Sequence, residues 1–121
     1  MNTRKLTVLT AIAGILALGE FASAAMIALG EFGPDHAGWP IAVVFGVFFL
    51  IAAWLLRSGR VAVGAVFAGI LCLIEILGCA TWYKHGVLDW TYETAYDLVA
   101  LAGLVGAIAV LAGRLRRRAA A

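Results

Sequence analysis

Two carboxylic acids stand inside long apolar stretches, each preceded by the same residues. Ala13-Gly14-Ile15-Leu16, then Leu18, lead to Glu20; Ala68-Gly69-Ile70-Leu71, then Leu73, lead to Glu75. An ionisable side chain at such depth is costly and marks a functional position by default. Neither glutamate has a Lys or Arg at comparable depth in the chain, so each suits holding a proton, a metal cation or an organic cation in exchange. A structural role is the other reading, with each acid bonded to a backbone carbonyl or to a polar group of another subunit.

Other chemistry-bearing residues make weaker patterns. Cys72, Glu75 and Cys79 share one helical face, but Ala17 and Ala24 hold the matching places beside Glu20. The cysteines therefore read as small packing residues. On a straight helix their Cα atoms would lie about 10 Å apart, too far for a disulfide. His36 and His85 fall in loops without structural-metal spacing, so no metal or other cofactor is expected. With no nucleophile elbow, phosphate loop or His/Ser pair, the chain is not expected to be an enzyme.

The elements that position these residues follow from composition. Of 121 residues, 64% are hydrophobic, well above the roughly half found in soluble domains. That predicts an all-α integral membrane protein forming one domain over residues 1–121. A span needs about 20 residues, so four use nearly the whole chain: about 6–29, 40–57, 61–83 and 95–113. The opening also has the basic, apolar and small-residue pattern of a secretory signal. Because that pattern recurs from residue 61, the first span is expected to be a retained helix.

Sliding the sequence by 55 positions pairs Val8 with Val63, Glu20 with Glu75 and Ala25 with Ala80. An offset of 57 pairs Gly46 with Gly103, Ile51 with Ile108 and Arg57 with Arg114. The chain thus reads as two tandem helical hairpins of like orientation, a parallel repeat about an axis along the membrane normal. Each glutamate would stand about 21 Å from its helix start, facing the other across the bundle centre.

Basic residues cluster at Arg4/Lys5, Arg57/Arg60 and Arg114 to Arg118, which predicts cytoplasmic N- and C-termini in a prokaryotic plasma (inner) membrane. The basic tail is suited to anionic lipid, and no nucleic-acid partner is expected. Glu31, Asp35, Asp89, Glu93 and Asp97 lie at or near two outer loops, opposed only by Lys84. The second loop is expected over Lys84 to Thr91, with Tyr92 to Asp97 an amphipathic lead into the fourth span. Trp39, Trp82, Trp90, Tyr83, Tyr92 and Tyr96 read as an aromatic belt, or as a cage for an organic cation. Candidates for the outer mouth of a pathway are Asp97, Tyr96, Trp82 and Glu31.

The length, four spans and first-helix glutamate resemble the small multidrug resistance transporters. That resemblance implies proton exchange against cationic drugs at Glu20; Glu75 departs from the family pattern. The half from Arg60 to Arg114, with Tyr92-Glu93 before the last helix, is similar to DoxX-like membrane proteins but lacks their first-helix Gly-x-x-Lys. The leading expectation is a small transporter or channel-like protein whose Glu20 and Glu75 bind protons or a small cation. A bundle this small predicts a homodimer or higher homo-oligomer. The alternatives are a non-catalytic accessory subunit of a larger membrane complex and a DoxX-like protein acting on a lipid or quinone-like molecule.

Overall fold

The computed structural model describes residues 3–32, 38–81, 84 and 86–120. They form four helices and, among the described residues, no strand: α1 (Thr3–Ala28), α2 (Trp39–Arg57), α3 (Val61–Thr81) and α4 (Gly86–Ala120). All four are long and apolar enough to cross a membrane. Successive helices pack side by side and α4 closes against α1. α1 and α3 also touch across the diagonal, whereas α2 and α4 do not meet among the described residues.

Local sequence accounts for the helix ends. Gly30 and Gly59 take positive φ, and the next N–H reaches back six residues inclusive, Glu31 to the Met26 carbonyl at 2.9 Å and Arg60 to the Leu55 carbonyl at 3.0 Å. These are glycine-terminated Schellman caps that satisfy carbonyls left over at the ends of α1 and α2. α2 opens at Trp39 with Pro40 in its first turn, where proline is pre-organised for the helix. The Lys84 ammonium donates to the Cys79 carbonyl near the end of α3 and lies 4.8 Å over the Trp90 ring.

Alanines at the crossings bring the helices close. Ala17, Ala52, Ala68 and Ala100 are buried together with Leu16, Phe49, Leu71 and Cys72 at mid-bundle. Ala65 and Ala107 join Leu9, Leu56, Val61 and Val110 toward the basic end. Small residues allow such approach where lipid on the outside is as apolar as the core. Ile15, Leu18, Val44, Phe48, Ile51, Trp54, Ile70, Leu101 and Val105 face outward, which suits a lipid surround.

One sequence expectation is corrected. Gly86 to Thr91 is not loop: α4 is continuous from Gly86 to Ala120, about 52 Å at the usual rise. Its first turns carry Asp89, Tyr92, Glu93 and Tyr96 at spacings of three and four, a stripe that faces the bundle and continues as Ala100, Gly103 and Ala107. Averaged hydropathy hides such a stripe because it registers polarity without its direction.

Candidate acidic cavity between the helices

Glu20 and Glu75 meet. Glu20, on the inward face of α1, is 6% exposed, and its carboxyl group comes within hydrogen-bonding reach of the Glu75 carboxyl across the short α1–α3 diagonal. Tyr96 of α4 supplies a third member, its hydroxyl proton shared between Glu20 Oε1 at 2.8 Å and the more distant Leu16 carbonyl at 3.2 Å. The neighbouring Tyr92 hydroxyl donates to the Gly19 carbonyl, and the two tyrosine rings stack at 6.4 Å between centroids. Gly19 makes this seat possible. A Cβ there would stand 2.8 Å from Tyr96 Cε2 and 3.0 Å from Cδ2.

Above the carboxyl pair is a cavity of about 430 Å³, lined from all four helices. Four acids reach it, Glu20, Glu75, Asp89 and Glu93, together with Ser23 and Cys79. Ile27, Phe32, Ile41, Phe45 and Ile74 form its apolar wall, and among the described residues no Lys or Arg lies in the lining. Asp89 is 2% exposed, and Glu93 accepts a hydrogen bond from the Cys79 thiol. Phe32 packs on Tyr92 at 5.2 Å between centroids, joining the wall to the tyrosine pair. Ligand cavities commonly span roughly 300–1,000 Å³ and are mostly apolar with a few convergent polar groups. Among the described residues, no three His, Cys, Asp or Glu side chains are arranged to hold a metal ion.

The other sequence candidates are placed differently. Tyr96 is buried at the floor of the site, and its partner Tyr92 also points inward, so neither belongs to an outer belt or cage. Asp97 lies beside Cys79 and does not line the cavity; its Oδ1 is buried with no hydrogen-bond partner among the described residues. Glu31 is exposed in the turn after α1. Trp82, Tyr83, Asp35, His36 and His85 lie outside the described residues. Asp89 and Glu93 belong to the cavity, whereas the sequence reading places Asp89 in the second outer loop and Glu93 in the amphipathic lead that follows it. The signal that finds them is their i, i+4 spacing, one turn apart and in phase with Tyr96 and Ala100.

Compared with protein-family models, curated proteins and solved structures, the chain matches none. Its chemistry therefore rests on its own residues.

Proposed function

We propose that the protein is a small membrane transporter or channel-like protein in which the Glu20–Glu75 pair binds a proton or a cation in exchange. The observation that carries this reading is the contact between two carboxyl groups at the base of a cavity whose lining, among the described residues, has no basic side chain. Two such groups attract only when a proton or another cation compensates their charge. A cation entering the cavity can replace that proton, and a proton returning can release the cation.

The cavity favours a monovalent organic cation over a metal ion. Its wall is aliphatic and aromatic, with Phe32 and Phe45 in the lining, aromatic rings being able to attract a cationic centre, and the metal-ligand set is lacking among the described residues. Asp89 and Glu93, above the pair, raise the local cation concentration before binding. The role is binding and translocation, without covalent chemistry. The arginine clusters support cytoplasmic termini in a prokaryotic plasma membrane, and the aligned segments before Glu20 and Glu75 support a tandem-hairpin origin. A bundle this small leaves little room for a continuous pathway between its own helices, so a homo-oligomer is the form in which we expect a complete pathway.

Calorimetric titration of the detergent-purified protein with a lipophilic monovalent cation, tetraphenylphosphonium, tests the reading. Binding that is lost in both Glu20→Gln and Glu75→Gln, with folding and assembly intact, is the expected result. Equal binding by wild type and the double variant would refute it. If either variant fell apart during purification, the glutamates would be packing elements and the accessory-subunit reading would replace transport.

A further inference from the structure

The opposite end of the bundle carries a second and chemically inverted pocket. It is about 60 Å³ and lies between α1, α3 and α4, lined by Lys5, Leu6, Val61, Ala109, Val110, Gly113, Arg114 and Arg117. Val110, Gly113, Arg114 and Arg117 occupy one face of α4 at spacings of three, four and seven. Val61 is the first residue of α3 and so lies at the positive end of that helix's dipole. None of the six acidic residues among the described ones is near: Glu75 is about 21 Å along α3 from Val61, and Asp97 about 25 Å along α4 from Arg114.

From this arrangement we infer a binding site for the phosphate headgroup of an anionic membrane lipid. The pocket has room for one phosphate-sized group and none for an acyl chain. Arginines and a helix N-terminus converge on it, and each suits a phosphate oxygen. Leu6, Val61, Ala109 and Val110 make its apolar side, and the outward faces of the same helices are apolar, so an attached chain has a lipid-facing surface to follow. Basic pockets between transmembrane helices at the interface have this recognition chemistry. A free phosphate would gain the charge contacts without the apolar ones.

Gly113 gives a clean test, because a Cβ there meets no protein atom within 4 Å. Gly113→Leu therefore adds an apolar side chain at the pocket lining from a position where its Cβ meets no neighbouring atom. The experiment follows retention of short-chain phosphatidylglycerol by native mass spectrometry of the full chain, against phosphatidylcholine and inorganic phosphate. Wild type is expected to retain phosphatidylglycerol alone, and Gly113→Leu to lose it while unfolding at the same temperature as wild type without lipid. Arg114→Gln and Arg117→Gln should each weaken retention about fivefold. The larger charge change Arg57→Gln/Arg60→Gln, at residues outside the pocket lining, should leave it unchanged.

Retention of phosphatidylglycerol by Gly113→Leu at the wild-type level would overturn the site. Equal loss in the Arg57/Arg60 pair would also overturn it, by showing a diffuse charge effect. Equal retention of phosphatidylcholine would remove the anionic selectivity, and equal retention of inorganic phosphate would make the occupant a free anion; either result overturns the lipid assignment.

Discussion

Replacing Tyr96 by Phe removes one oxygen from the centre of the site and leaves its ring in place. The hydroxyl has two acceptors, and the loss falls on them unequally. The Leu16 carbonyl belongs to the helical ladder and keeps its N–H partner four residues on. Glu20 Oε1 loses a donor in a place where Glu20 is 6% exposed and water does not readily replace it. Hydrogen bonds between transmembrane helices average about 0.6 kcal/mol and reach about 1.7 kcal/mol. Tyr96→Phe belongs in the upper part of that range, roughly 1–1.7 kcal/mol, because its acceptor is a buried carboxyl group. Tyr92→Phe belongs at about 0.6 kcal/mol or below, since its acceptor is the Gly19 carbonyl, again part of the ladder. Equilibrium unfolding in mixed micelles, titrated with a denaturing detergent, measures both. A double-mutant cycle adds the decisive comparison: in a Glu20→Leu background the Tyr96→Phe cost should largely disappear. If Tyr96→Phe costs no more than Tyr92→Phe, or costs the same with and without Glu20, the hydroxyl does not act through the carboxyl group and the geometry of the floor is misread.

Further predictions follow from the same contacts. Gly19→Ala should destabilise the bundle by roughly 1–3 kcal/mol through overpacking against Tyr96, offset by up to about 1 kcal/mol of helix propensity. Gly14→Ala, whose Cβ meets nothing within 4 Å, should be neutral or stabilising in the same unfolding assay. Asp89→Asn/Glu93→Gln should slow cation association and flatten its dependence on ionic strength in stopped-flow measurements, since those carboxylates supply attraction ahead of the binding pair. Cys79, which lines the cavity, should react with a small thiol reagent more slowly when tetraphenylphosphonium is bound, as read by mass spectrometry of the labelled protein. Cys72, buried in the mid-bundle core, should remain unlabelled with or without the cation.

Much of the architecture was legible in the sequence because the bilayer imposes it. Apolar runs of membrane length, Pro40 at a helix start and basic residues at the turns point to four helices. The isolated carboxyl groups of Glu20 and Glu75 stood out because their neighbours are almost all aliphatic. The first turns of α4 were hidden by their own polarity. Asp89, Glu93 and Tyr96 read as interfacial residues until their period is compared with that of Ala100 and Gly103, which shows one inward stripe. The Tyr96 link to Glu20 depends on α4 packing beside α1, a neighbour relation that no local pattern encodes. Gly19 could be read only in retrospect, because its missing side chain matters solely where a tyrosine ring lies against it.

The central claim is that Glu20 and Glu75 together hold a proton that an entering cation displaces. The direct measurement is proton release from detergent-purified protein in weakly buffered solution as tetraphenylphosphonium is added. The account predicts release that saturates with the cation and is abolished by either Glu20→Gln or Glu75→Gln. Saturable cation binding with no proton released, or release that persists in the folded double variant, would contradict it.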